Sequence, residues 1–502
     1  MKFKFILYTA IITLAFTSCK KDWLDVNTNP NQLPNSTPDF VFTSGVARTV
    51  AFLTPNETGS YWAGHWTQSN TYIIDPARFQ YQFNNTNFNF WDTWYDIMQD
   101  FQFVIDNANA QGQPFFRGPA RIMKTYIMQQ VVDLYGNVPY TDAFKGVGAI
   151  APKFDDQKAV YEDLVKVLDT AITELRANPA TGNQSASDIV FTGNRTNWIR
   201  FANSLKLRIL IRQSRIPGRD TYIKSEINKA AATTEGFLAV GQDVTANPGY
   251  VASAGKLNPF YENWGYNAAG GAQALARFPR PTTYLFSSLI STNDTFRLKR
   301  LAYPKGGEGV NPEIISNYVG VPYGASSGYL AQNTSYLGPS VIKKGEFNRP
   351  MYIMLAAESF FLMAEAKQLY GAGVNLPLNA QEYYETGVRE SFRTTGTTTA
   401  YGAQAATTLL TSGKDLADWT ASPDKLKAIW MQKWLALTNY SGLEAWSEYR
   451  RTNFPLIPNS ASASAGTKQP LRLFYPGTES QANPNVPTGI DVFTSRIFWD
   501  VD

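Results

Sequence analysis

Two acidic residues at helical spacing, a lone histidine and a polar loop near the N-terminus are the first residues here whose types could do chemistry. Glu358 and Glu365 stand seven positions apart. Paired carboxylates can act as general acid and base when they flank a glycosidic bond at about 5–9.5 Å. Seven helical residues rise about 10.5 Å. Both also sit among Ala357, Phe361, Ala364 and Ala366, so their surroundings point to packed, structural carboxylates. His65, between Gly64 and Trp66, could polarise a hydroxyl, but no GxSxG or other nucleophile signature accompanies it. Asp25-Val-Asn27-Thr-Asn29 begins like a calcium loop, with oxygen ligands at alternate positions. Pro30 then replaces the glycine that the turn needs, and Ser36 replaces the closing bidentate glutamate. Gly249 and Gly255-Lys256 evoke a phosphate loop, but the glycines are one residue too far apart and Leu257 stands where Ser or Thr would hold magnesium. The expectation is a chain with no catalytic set, no metal site and no cofactor.

Composition narrows the field in the same direction. The 502 residues contain one Cys and one His, which excludes an internal disulfide, a CxxC motif and a zinc site of four N/S ligands. A net charge of +4 argues against nucleic acid as a partner. Charged residues are 17 %, whereas 12 Trp, 27 Tyr and 31 Phe bring the aromatics to 14 %.

Those aromatics supply the remaining chemistry. Tyr61, Trp62 and Trp66 are followed by Tyr72, Phe79, Tyr81 and Phe83, with Asn70, Asn84, Asn85, Asn87 and Asn89 between and after them. A second group joins Tyr261, Trp264 and Tyr266 to Asn258, Asn263 and Asn267. An aromatic face covers the apolar C–H face of a sugar ring, and amides both donate to and accept from its hydroxyls. Trp66, Asn70, Tyr72, Tyr81, Trp264 and Tyr266 are the expected ligand contacts. Trp91, Trp94 and Tyr95 fall at helical spacing with Met98 and are expected in the core. Whether the two loop clusters meet in space does not follow from their order.

The elements that must position these residues are mainly helices. Gln157 to Asn178 places Tyr161, Leu164, Leu168, Ile172 and Leu175 at three- and four-residue steps, and Phe115 to Tyr135 does the same. Further helices are expected at about 38–53, 89–110, 197–214, 220–234, 351–371, 380–394 and 424–438. Helix pairs recur across short polar loops, as in stacked helix-hairpin arrays. The stretches at about 236–348 and 455–502 are rich in Gly, Asn, Ser and Pro and are expected to be irregular. A helical scaffold at about 38–235 and 349–454 would carry them as one domain, residues 19–502.

The N-terminus reads as an address. Lys2 and Lys4 precede the apolar stretch Phe5 to Phe16, about a dozen residues long, as in a secretory signal. The small pair Thr17-Ser18 leads to Cys19, an arrangement that resembles a bacterial lipoprotein cleavage site. Residues 1–18 are the expected signal peptide and Cys19 the expected lipidation site. Lys20-Lys21-Asp22 resembles the signal that sends lipoproteins of Bacteroidetes to the outer cell face.

Several stretches, in order, resemble the SusD/RagB family of outer-membrane nutrient-binding lipoproteins. They are Trp23 to Asn31, Asp133-Leu-Tyr-Gly-Asn-Val-Pro-Tyr-Thr-Asp-Ala143, Asn197 to Arg208, Ala356-Ala-Glu358 through Gly371, Ile429 to Arg450, and Arg472-Leu-Phe-Tyr475-Pro476 with Glu479 and Asn483. The opening and the last element fit the RagB-like branch better than the starch-binding branch. The resemblance implies a mainly α fold, a tetratricopeptide-like helix-pair scaffold with an irregular loop-rich insertion. It also implies a non-catalytic lipoprotein that captures oligosaccharides, or in some branches peptides, and passes them to a TonB-dependent SusC-like transporter. Two other classes compete: an exported glycoside hydrolase and a helical-repeat adaptor whose aromatics serve a protein interface.

Overall fold

Apolar residues at helical steps become helices in the order that the sequence suggests. The computed structural model describes residues 36–53, 57–396, 400–467 and 469–501. The expected signal peptide, Cys19 and the Trp23–Asn31 motif lie outside the described residues. The first helices are α1 (Pro38–Leu53), α2 (Trp91–Asn107), α3 (Arg117–Tyr135), α4 (Gln157–Ala177), α5 (Arg195–Ile211) and α6 (Asp220–Ala231). In α4 the Asp156 carboxylate accepts from the Lys158 and Ala159 amides, and Tyr161, Leu164, Leu168, Ile172 and Leu175 form the buried stripe. Consecutive helices from α1 to α6 pack on one another, which is the helix-pair scaffold. As expected, Trp91 and Trp94 are buried on α2. From Pro38 onward the chain forms one compact unit.

Between α6 and the next long helix the chain changes character. It holds α7 (Pro259–Trp264), α8 (Thr283–Ser291) and α9 (Thr295–Leu301), together with most of the strands. These helices were not expected. At three turns or fewer they leave little periodicity to read, and each is started by a side-chain cap, from Asn258, Thr282 and Asp294. Three two-stranded ribbons tie the region down. β1 (Trp66–Gln68) pairs antiparallel with β3 (Pro279–Pro281), β2 (Val244–Ala246) with β6 (Met351–Met354), and β4 (Ala302–Tyr303) with β5 (Tyr336–Leu337). β6 also corrects the helix expected at 351–371, which begins only at Ala356. Met351–Met354 is apolar enough for either state, and pairing with β2 decides the matter.

The second helical set is α10 (Ala356–Tyr370), α11 (Ala380–Thr394), α12 (Ala400–Leu410), α13 (Lys425–Leu437) and α14 (Gly442–Thr452). α10 packs against α5, α11 and α13, which joins the two halves of the scaffold. Its seam is ionic. Glu358 takes a two-pronged hydrogen bond from Arg208, at 2.6 and 2.8 Å. Glu365 accepts from Arg451 at 3.0 Å. Arg212 reaches Glu444 at 2.5 Å, and Lys433 reaches Glu448 at 2.5 Å. Burial pushes the Glu358 carboxyl up, opposed by the guanidinium of Arg208. Glu448 also loses hydration, but the cations Arg451, Lys433 and Arg212 hold it well below the usual carboxylate range. These acids are structural, as their apolar neighbours suggested.

After α14 the chain runs without long helices, as its composition implied. It is pinned to the scaffold where Leu473 donates to the Leu134 carbonyl and Trp499 donates to Asp133 Oδ1, both at 2.8 Å.

Candidate functional site

The two aromatic clusters meet, because the ribbon β1–β3 brings their flanks together with Thr67 opposite Arg280. Trp66 lies 5.9 Å from the ring of Phe260, and the Tyr72 hydroxyl donates to the Ala274 carbonyl at 2.6 Å. The structure then divides the six expected contacts.

Trp66 and Tyr81 are buried, at 2 % and 5 % exposure. The indole of Trp66 donates to Asn439 Oδ1 at 2.8 Å and packs on Tyr61 and Phe260. Beside it is a hollow of about 40 Å³, room for roughly one water. This corrects the expectation that these two rings face a ligand: they lie in the wall of the core, which a cluster of consecutive aromatics serves equally well. Asn70 is spent on its own fold. Its amide donates to the Ala325 carbonyl at 2.8 Å and accepts from the Tyr329 amide at 2.9 Å. Tyr72 leans on Phe278 at 5.3 Å and is half-buried. Asn70 and Tyr72 thus fasten the loops at 69–74, 273–278 and 325–331 together.

Trp264 and Tyr266 line a cleft of about 280 Å³, together with Gln273, Arg277, Glu308 and Tyr336. Trp264, at the end of α7, is nearly covered, and Tyr266 is half-buried. The Tyr266 hydroxyl donates to Glu308 Oε2 at 3.0 Å. Burial and that carboxylate push its pKa up to about 12. β5 brings Tyr336 to the cleft, and Tyr303 of β4 also borders it. Gly306 and Gly307 have φ of 89° and 84°, a left-handed turn that glycine makes without strain. A Cβ on Gly306 would stand 3.0 Å from Val310. The turn leads directly to Glu308. Gln273, Arg277, Tyr303, Glu308 and Tyr336 were missed from sequence. Their signal was weak: single tyrosines, charges and an amide in a Gly- and Asn-rich stretch, of which strand pairing brings in Tyr303 and Tyr336.

The cleft can stack rings against a ligand and offer amide, hydroxyl, carboxylate and guanidinium groups to its edge. Glu308 is the sole carboxylate among the described residues that line it. His65 is elsewhere and fully buried against Trp434. Its Nε2 lies 3.0 Å from the Trp434 carbonyl, an acceptor, so Nε2 carries the proton. Burial pushes the imidazole down to about 3. Among the described residues no group of His, Cys, Asp and Glu could hold a metal ion, and no helix is long and apolar enough to cross a membrane.

Residues 30–476 match the SusD-like family described as starch-binding and associating with the outer membrane. Solved structures share the fold. A SusD homologue from Bacteroides fragilis superposes with a TM-score of 0.74 at 21 % identity, covering 93 % of this chain and 99 % of its own. One from Bacteroides uniformis gives 0.72 at 24 %, covering 93 % and 100 %. A chitin-binding SusD homologue from Flavobacterium johnsoniae gives 0.71 at 23 %, covering 92 % and 99 %. No curated protein matches the chain.

Proposed function

Because the chain belongs to the SusD-like family, we propose that it is a surface lipoprotein that captures oligosaccharides without chemistry and hands them to a TonB-dependent outer-membrane transporter. One observation carries this reading furthest: aromatic faces and hydrogen-bonding side chains from distant stretches converge on one open cleft. Tyr266 and Tyr336, both half-buried, would cover the C–H faces of sugar rings against a wall backed by Trp264, and Gln273 and Glu308 would meet hydroxyls. Among the described residues one carboxylate, Glu308, lines the cleft, which supports binding over hydrolysis, since glycosidases of the common kind flank the bond with two. The family's description and the likeness to a chitin-binding homologue support a glycan ligand. Cleavage before Cys19 and its acylation would anchor the protein, with the helix-pair scaffold as a rigid shelf for the loops.

Titration calorimetry against a panel of oligosaccharides and peptides tests the reading, together with co-purification from membranes. The expected result is saccharide binding and recovery with a large barrel transporter. Binding to nothing on the panel, with no barrel recovered, would overturn it. New reducing ends released from labelled glycans would turn it toward hydrolysis.

A further inference from the structure

The two charges of the cleft are not equivalent. Glu308 is answered within the fold by the Tyr266 hydroxyl at 3.0 Å and the Lys344 amide at 3.4 Å. The Lys344 ammonium also stands 5.8 Å from the Tyr266 ring. Arg277 lines the same cleft and is exposed. Among the described residues, its guanidinium has no ion pair, hydrogen bond or ring contact.

A second guanidinium stands behind the wall. Arg280 is fully buried, with its Cζ 4.1 Å from the centre of the Tyr336 ring. Nε donates to Thr334 Oγ1 at 3.0 Å and Nη1 to the Pro279 carbonyl at 2.6 Å, whereas Nη2 has no acceptor. Its partners are neutral, and no carboxylate approaches it within ion-pair distance among the described residues. Burial pushes Arg280 down to about 10, and the nearby charge of Arg277 acts in the same direction. Buried charges are ordinarily paired. Here one cation is left unpaired in the cleft and another close behind it, while the one acid is already hydrogen-bonded. An anion in the cleft would find Arg277 without a competing partner among the described residues.

Resting on the capture reading above, we propose that the cleft selects saccharides that carry a carboxylate, docked on Arg277, with the sugar ring against the tyrosine faces. Guanidinium and carboxylate match as planar, two-pronged partners. A ring-shaped ligand is favoured over an acidic peptide because three aromatic side chains, Trp264, Tyr266 and Tyr336, border the place where the acid would sit.

The test uses uronate-containing oligosaccharides of several linkages, each paired with its carboxyl-reduced counterpart, which keeps the linkage and loses the charge. Wild-type protein should bind at least one acid form tenfold or more tightly than its reduced partner, and the ratio should shrink as salt rises. Arg277→Gln should bring the ratio towards one, and Arg277→Lys should restore part of it. Equal binding of acid and reduced forms, or a preference that survives Arg277→Gln, would overturn the inference and leave capture of neutral glycans standing. Binding of acidic peptides with no saccharide bound would overturn both.

Discussion

The seam between α5 and α10 and the cleft between α7 and β5 both bring arginines and carboxylates together, and they treat them in opposite ways. At the seam, Arg208 and Glu358 are buried and matched with two short hydrogen bonds. At the cleft, Arg277 is open and has no partner among the described residues, and Glu308 is held by a tyrosine. A buried charge is ordinarily paired inside the fold, because desolvation costs several kcal/mol per ion. An exposed charge is hydrated and can wait for a ligand. The difference teaches that the charges of the scaffold hold its helices together, while the cleft leaves Arg277 without a partner among the described residues.

The comparison breaks most sharply at the seam. Arg208→Met would leave Glu358 uncompensated in the core, and should cost about 3–5 kcal/mol. Urea denaturation should show a lower midpoint with an unchanged slope. A loss under 1 kcal/mol would mean that water reaches the seam and that the contrast with the cleft is false.

Histidine 65 extends the comparison to pH. Its folded pKa is depressed to about 3, so the unfolded chain binds a proton that the folded protein refuses. The stability it contributes is fully present above pH 6.5 and is lost as pH falls toward 3. At about 1.4 kcal/mol per unit, roughly 2–3 kcal/mol should disappear between pH 6.5 and 4.5. His65→Gln should flatten this part of the stability profile relative to wild type. Parallel profiles would show that His65 gains access to water.

At the cleft the expected effects are smaller and fall on binding. Tyr266→Ala and Tyr336→Ala should each weaken saccharide affinity by about 0.5–3 kcal/mol, from lost apolar cover and stacking. Trp66→Ala, by contrast, should act through stability, since that ring is buried. Calorimetry and thermal melting on the same samples separate the two outcomes. Reversed effects would place the ligand site beside Trp66.

The least effect is expected at the loop junction. Tyr72→Phe removes the hydrogen bond to the Ala274 carbonyl, worth about 1 kcal/mol. Exchange of backbone amides at 273–278 should quicken while the scaffold helices stay protected. Unchanged exchange would show that Ser69, which donates to the Arg277 and Phe278 carbonyls, suffices to fasten this loop.

Much of the fold was legible beforehand. Long helices such as α3 and α4 announce themselves because fifteen or more residues repeat a stripe that only a helix can bury. The short helices α8 and α9 and strand β6 were not legible, because a handful of apolar residues suits either state until a partner strand or surface is present. The six expected contacts fall in different surroundings. Trp264 and Tyr266 do border the cleft, whereas Trp66 and Tyr81 point into the core. Composition cannot separate a ring that packs from a ring that waits, since both have the same chemistry.

The sequence by itself determined a mainly helical scaffold, a family resemblance that the match over residues 30–476 bears out, and a chain too poor in Cys and His for a zinc centre of such ligands. It determined these because periodicity, motif order and residue counts are local or additive. Only the tertiary structure decided which aromatics are buried, that Trp66 of the first cluster packs on Phe260 beside the second, and that among the described residues Arg277 has no partner while Arg208 has one. Those are facts of burial and distance between residues hundreds of positions apart, such as Trp66 and Asn439, separated by 373. Burial also sets the free energy of every charge involved.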